Sequence, residues 1–342
     1  MALALVAQEK LGQNYLYESE GRYHSLLLEE NGERFLAYRR AWREREEKLE
    51  PGDFPLSLDL ALNNGCAFSC VMCPAPRRRE KTRPLMAPDS LIKKILAEAQ
   101  ERAIPAMTLG LASEPLMNPR APQYIAWARR AGIMDIRLGT NGALLTDDCL
   151  KALIDSGLTR LEISVDATKS ETYAKIRRGG KLETLLANLE RFWALRAQAR
   201  QKTPLLRLSF LRLPQNEGEL EPFIELYKDR ADMLSIQNPI WFPESELSPP
   251  EPEAGFSFTP CPQPFQRLGI LADGSLWPCC SWRGEKLLAD FNLNGKGTDI
   301  GGVWNSARFQ GLRASLRSDE PPEACFSCRR ATTASPSPAR IP

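Results

Sequence analysis

The segment Cys66-Ala-Phe-Ser-Cys70-Val-Met-Cys73 puts three thiols within eight residues. Three thiolates satisfy three irons of a four-iron cubane and leave the fourth to a ligand that is not protein, unlike an electron-transfer cluster held by four cysteines. Structural zinc is the competing use of clustered cysteines, but it takes four ligands, commonly in paired knuckles. A second group lies beyond residue 260: Cys261, the adjacent Cys279 and Cys280, and Cys325-Phe-Ser-Cys328. Cys149 stands apart in a helical stretch and reads as a small apolar residue. Nine cysteines in this clustered pattern, in 342 residues with no secretion-type N-terminal segment, argue for metal or cluster ligation over a disulfide framework. The single histidine, His24, excludes a histidine triad or a multi-histidine zinc cage.

Forty-five Lys and Arg against forty-three Asp and Glu leave a formal charge of +2, so no chain-wide field favours nucleic acid or a membrane surface. The longest apolar runs fall short of the roughly 20 residues of a membrane-spanning helix. A cytoplasmic protein is expected, with no nucleic acid and no membrane among its partners.

The elements that must position the thiols form a regular series. Apolar strand-like segments at 58–62, 106–110, 136–141, 161–166, 205–210 and 233–237 alternate with amphipathic helical stretches. One helix is expected over 89–102, with Asp89 or Ser90 as N-cap. Strand-helix alternation of this length predicts an α/β fold with a parallel sheet, and six such units fit a partial or complete (βα) barrel whose ligands lie at the C-terminal strand ends. Residues 1–54 read as an N-terminal extension with a solvated helix over 40–50. The core runs over 55–238. Residues 239–257, rich in proline and glutamate, predict an extended linker. In 258–330 the segment Ala272-Asp273-Gly274 predicts a hairpin turn and 303–316 a helix. Residues 331–342 read as a disordered tail.

The CxxxCxxC spacing, placed after the first strand of the series, resembles the radical S-adenosylmethionine (SAM) superfamily. The resemblance implies that Cys66, Cys70 and Cys73 hold a [4Fe-4S] cluster whose open iron binds the amine and carboxylate of SAM. Reduction would then cleave SAM to a 5′-deoxyadenosyl radical. Met72, where the family often has an aromatic residue, would pack on the adenine. The run Arg77-Arg78-Arg79 reads as a solvated loop.

Further segments resemble the family in order. Leu111-Ala-Ser-Glu-Pro115 occupies the place of its Gly-Gly-Glu-Pro segment, with Ser113 and Glu114 implied at the methionine amine, although the glycine pair is absent. Thr140-Asn141-Gly142 resembles its TNG turn, with ordinary turn chemistry as the competing role. Ser164 and Asp166 would reach the methionine carboxylate or the ribose, helix capping being the competitor for Asp166. Arg177 is a further carboxylate contact. The second cysteine group resembles the SPASM and twitch modules. Cys261, Cys279, Cys325 and Cys328 would hold one auxiliary [4Fe-4S] cluster, with zinc as the alternative and Cys280 as a substitute for Cys279.

The fold implied is a partial (βα)6 TIM-like barrel of the radical SAM type with a small C-terminal hairpin-and-helix iron-sulfur module. A cluster fully ligated by cysteine can accept or relay an electron, which favours net oxidation of a polar small molecule, as in the twitch-containing dehydrogenases. A flavodoxin or ferredoxin would donate electrons. The alternatives are radical modification of a peptide or protein, and a non-catalytic electron-transfer protein.

Overall fold

The structure, a computed structural model, describes residues 21–74, 76, 83–240, 245–247, 258–280, 282, 292–293, 298–318, 320–325 and 328, with the backbone of two strands at 3–8 and 14–19. The Arg77–Arg79 run, most of the linker and the 331–342 tail lie outside the described residues.

Six parallel strands form the centre: β3 (Ser57–Leu60), β4 (Ala106–Leu109), β5 (Asp135–Thr140), β6 (Arg160–Ser164), β7 (Leu205–Leu211) and β8 (Met233–Gln237). They are the six strands that the apolar periodicity marks. Each connection between them carries at least one helix, so the sheet is the α/β half-barrel expected. Two hairpins extend it. The N-terminal pair β1 (Leu3–Gln8) and β2 (Asn14–Ser19) adds antiparallel to β8, while β9 (Arg267–Ile270) runs parallel to β3 with β10 (Leu276–Trp277) antiparallel outside it. The ten-stranded order is β1-β2-β8-β7-β6-β5-β4-β3-β9-β10. Both flanks of the parallel centre are therefore covered by paired backbone instead of open hydrogen-bonding groups. The pairing of 3–8 and 14–19 is absent from the sequence expectation.

The helices are α1 (Arg22–Asn31), α2 (Glu33–Lys48), α3 (Asp89–Glu101), α4 (Ala121–Arg130), α5 (Asp147–Asp155), α6 (Ser170–Ile176), α7 (Leu182–Ala199), α8 (Leu220–Tyr227), α9 (Gln263–Gln266), α10 (Ile300–Trp304) and α11 (Ala307–Leu316). The N-cap of α3 is Pro88, correcting the expected Asp89 or Ser90. Asp89 enters the first turn, where its carboxylate accepts from Tyr124 Oη at 2.8 Å and pairs with Arg120. The helix around Arg40 begins earlier than expected and buries Phe35 and Tyr38. The single helix expected over 303–316 is two helices, because the Ser306 hydroxyl accepts from Phe309 N at 3.3 Å and starts a new one.

One main apolar cluster runs from β3 through the barrel helices to Trp304 and Phe309, so the C-terminal helices share the barrel's core. Polar ties reinforce this: Trp304 Nε1 donates to Gly52 O at 3.0 Å, and Gln266 Nε2 to Trp42 O at 2.9 Å. At the N-terminal ends of the strands, Asp135 is chelated by Arg160 and accepts from Tyr23 Oη at 2.7 Å. Burial pushes that carboxyl up, but Arg160 and the tyrosine hold it below the usual aspartate range. No helix among the described residues is long and apolar enough to cross a membrane.

Candidate active site

At the opposite, C-terminal strand ends a cavity of about 680 Å³ is lined by all three thiols Cys66, Cys70 and Cys73, and by Met72, Ser113, Glu114, Asn141, Ser164 and Arg177. Those nine residues come from the loop after β3, the segment after β4, the C-terminal ends of β5 and β6, and, for Arg177, the C-terminus of α6.

The cysteine loop follows β3 and is pinned at both sides. Asn63 Nδ2 donates to Glu114 O at 2.8 Å, Asn63 Oδ1 accepts from Gly65 N at 2.7 Å, and Glu114 N donates to Gly65 O at 2.9 Å. On the far side Ser69 N donates to Arg178 O, and Val71 N to Ile176 O. The described part of the linker also reaches this loop: Glu246 N donates to Val71 O at 3.0 Å, its carboxylate pairs with Arg178, and Leu247 packs on the small cluster of Val71, Ile176 and Leu213.

Two of the thiols have polar donors directed at sulfur. Asn141 Nδ2 lies 3.7 Å from Cys66 Sγ, and Arg177 Nη1 lies 3.8 Å from Cys70 Sγ. Burial raises the Cys70 thiol; Arg177 opposes this, while Cys73 and Cys66 add to it through their own charge. The three thiols are thus close enough to influence one another. They open side by side on the cavity: among the described residues, no three His, Cys, Asp or Glu side chains converge as a single metal ion needs. Three thiols, a cationic donor and an amide donor suit a cluster bearing anionic sulfurs.

Glu114 acts first as a strap. Its Oε1 accepts from Thr140 Oγ1 at 2.7 Å and Leu116 N at 3.1 Å, and its Oε2 from Asn141 N at 2.8 Å. Burial raises its pKa against these three donors. An ionised carboxylate has about four acceptor positions, so one remains for a ligand ammonium. The missing glycine pair leaves a trace in the backbone. Ala112 sits at φ 54°, in the left-handed region that glycine adopts freely and that costs another residue about 1 kcal/mol. Gly142, at φ 77°, has no such latitude, since a Cβ there would lie 2.6 Å from Leu185 Cδ1.

Asp166 is the one implied cofactor contact that does not line the cavity. Its side chain is buried, with Oδ1 accepting from Leu211 N at 2.7 Å and Oδ2 from Arg177 Nε at 2.6 Å. Nor does it cap α6; Glu219 Oε2 accepts from Thr168 N at 2.6 Å and Lys169 N at 3.0 Å at that helix's start. Asp166 fixes Arg177, and Arg177 faces the thiol. Burial works against the Arg177 charge, but Asp166 raises its affinity for the proton.

Of the second cysteine group, Cys279 and Cys325 pack against the main core while Cys280 is exposed and lines the cavity, so the adjacent pair diverges. Burial raises the Cys325 thiol to about 12, and Cys328 adds to the rise, which puts these two within electrostatic range. Cys149, in the first turn of α5, is half-buried against the core.

Residues 60–195 match the radical SAM superfamily and residues 261–329 match the SPASM iron-sulfur cluster-binding domain. The chain is therefore a radical SAM protein. It belongs to the part of that superfamily that adds a SPASM domain, and the two domains imply SAM, a SAM-binding [4Fe-4S] cluster and an auxiliary iron-sulfur cluster. Among curated relatives, the chain is 29% identical over 197 residues to a probable GTP 3′,8-cyclase of Methanococcus maripaludis, covering 58% of this chain and 61% of that one. It is 30% identical over 174 residues to a GTP 3′,8-cyclase of Limosilactobacillus fermentum, covering half of each. The chain thus spans between half and about three fifths of these relatives. The solved structure of Streptococcus suis SuiB superposes with a TM-score of 0.57 at 14% identity, covering 88% of this chain and 76% of that one. That of anSMEcpe with bound AdoMet gives 0.58 at 13%, covering 82% and 92%. These two likenesses concern the fold.

Proposed function

We propose that this radical SAM enzyme abstracts a hydrogen atom from a polar small molecule and completes a net oxidation, with the auxiliary cluster as electron acceptor. The observation that carries the reading is the single cavity onto which three thiols, their two polar donors and a polar barrel floor all open. Its volume falls in the ordinary range for small-molecule sites. When bound, SAM on the reduced cluster supplies a carbon radical able to take a hydrogen atom.

The chain's own groups do the rest. Cys66, Cys70 and Cys73 hold the cluster; Arg177 and Asn141 donate to two of the sulfurs, and Asp166 keeps Arg177 in place. Glu114 offers its remaining acceptor position to the methionine ammonium. Ser113 and Ser164 are hydroxyl partners for the SAM polar groups, and Met72 packs on the adenine. Cys261, Cys279, Cys325 and Cys328 hold the auxiliary cluster.

A redox-neutral rearrangement is the second reading, favoured by the names of the curated relatives. The test is anaerobic reconstitution with SAM and reductant, followed by 5′-deoxyadenosine and product mass. 5′-Deoxyadenosine absent above the level of a Cys66, Cys70 and Cys73 triple-Ala variant overturns the radical chemistry. A product of unchanged mass overturns the oxidation and leaves the rearrangement, and a peptide as the only molecule consumed overturns the small-molecule substrate.

A further inference from the structure

One buried arginine stands without an acid. Arg160, Arg177 and Arg196, all largely buried, pair with Asp135, Asp166 and Asp232 in turn. Arg313 on α11 is fully buried, yet the charges within range of it among the described residues, Arg45 and Arg317, are both positive. Its Nε donates to Pro264 O in α9 at 2.9 Å and its Nη1 to Trp304 O at the end of α10 at 2.6 Å, while Nη2 is buried with no hydrogen-bond partner. The rings of Trp304 and Phe309 each stand 3.9 Å from the guanidinium carbon. Two carbonyls and two rings ease a buried cation, but the carbonyls would hold a neutral donor equally well, without the cost of taking a charge out of water. Burial pushes the Arg313 pKa down to about 9, and Arg45 and Arg317 add to the fall, so the group is still charged at neutral pH.

The place of this cation suggests what its charge is for. Pro264 lies three residues beyond Cys261, a separation that cannot exceed roughly 10 Å. Cys279 and Cys325 pack on the same apolar cluster as Trp304, Phe309 and Leu312. The chain also runs from the end of α11 into Cys325 and Cys328. A cluster held by four thiolates is anionic, and each electron it takes up adds a negative charge. A fixed cation buried beside it offsets that charge and makes the electron easier to accept.

We propose that Arg313 is the buried counter-charge of the auxiliary cluster and raises its reduction potential. This rests on the ligand set proposed above, Cys261, Cys279, Cys325 and Cys328, and deepens the oxidative reading: a charge that is costly to bury favours uptake of the electron that substrate oxidation releases. The two carbonyl contacts of Arg313 also tie α9, which starts just after Cys261, to the end of α10.

The test uses the full chain carrying Cys66→Ala, Cys70→Ala and Cys73→Ala, reconstituted anaerobically so that only the auxiliary cluster loads. About four irons per chain are expected, and the potential is read by EPR-monitored titration with dithionite. Arg313→Met and Arg313→Gln each lower the reduction equilibrium about tenfold, or about 59 mV for one electron, the scale of a unit charge at about 10 Å in a medium of effective dielectric about 20. Gln keeps an amide donor for a carbonyl, so a shift shared with Met reports charge and not hydrogen bonding. Arg313→Lys keeps the charge and stays within about threefold of the unaltered residue. Arg317→Gln removes an exposed charge from the same helix end and leaves the potential unchanged, because solvent screens it. A shift below about twofold in either neutral variant, a fall in Arg313→Lys matching that in Arg313→Met, or an equal fall in Arg317→Gln overturns the counter-charge. If the neutral variants load no iron, retention by Arg313→Lys supports the charge, and loss from that variant too marks a purely structural role and overturns it. A triple-Ala chain that binds no iron with Arg313 intact overturns the ligand set and the proposal with it, so iron content tells the two failures apart.

Discussion

Removing either member of the Asp166–Arg177 pair should cost far more than removing both. The side chains are 1% and 14% exposed, and Asp166 Oδ2 meets two nitrogens of the guanidinium, Nε at 2.6 Å and Nη2 beside it. Arg177→Met leaves a buried carboxylate with one backbone donor, Leu211 N. Asp166→Asn leaves a buried guanidinium facing a neutral amide. A buried pair broken on one side costs about 3–5 kcal/mol, whereas replacing both charges removes desolvation cost along with attraction. Asp166 stands at φ 62°, and asparagine tolerates that backbone as well as aspartate does, so the Asn variant reads charge and not strain. The double variant should therefore be more stable than the sum of the singles by about 2 kcal/mol or more. Urea denaturation of the four proteins, without cluster, measures this coupling energy. A coupling near zero would refute the argument that Asp166 exists to hold Arg177. In the cluster-loaded protein, loss of the Arg177 donor to Cys70 Sγ should lower the reduction potential of the first cluster, followed by EPR-monitored titration.

Three further outcomes are expected. Glu114→Ala strips the partner from Asn141 N, Thr140 Oγ1 and Leu116 N, and should cost about 3 kcal/mol in urea unfolding together with SAM affinity measured by equilibrium dialysis. Cys325→Ser with Cys328→Ser should remove about four irons per chain while 5′-deoxyadenosine formation persists, as iron analysis and chromatography would show. The Asp135 carboxyl is held below its ordinary value, so its stabilisation is complete above a pH of about 3.9 and is lost as pH falls through the lower folded-state value. Unfolding free energy plotted against pH should lose part of its acid slope in Asp135→Asn.

The sequence alone carried the chemistry that depends on local spacing. Cys66, Cys70 and Cys73 are neighbours in the chain, so one loop suffices to gather them, and strand periodicity is likewise local. The Ala112-Ser113 segment lacks the glycine pair of the family segment it resembles, and the left-handed backbone at Ala112 is visible only in the structure. Tertiary structure decided what the other polar side chains face. Asp166 and Arg177 are eleven residues apart, and whether the carboxylate turns to the cavity or to the arginine depends on how α6 packs against the cysteine loop. The ion pairs of Glu162 with Arg137 and Arg207 were equally invisible, because these side chains meet through the registers Gly139↔Glu162 and Glu162↔Arg207 between neighbouring strands. Pairing of the N-terminal hairpin with β8 joins residues more than 200 positions apart, and no local pattern encodes such a contact. Spacing along the chain fixes which groups can share one loop, whereas strand register and helix packing fix which charges from distant segments confront each other in one cavity.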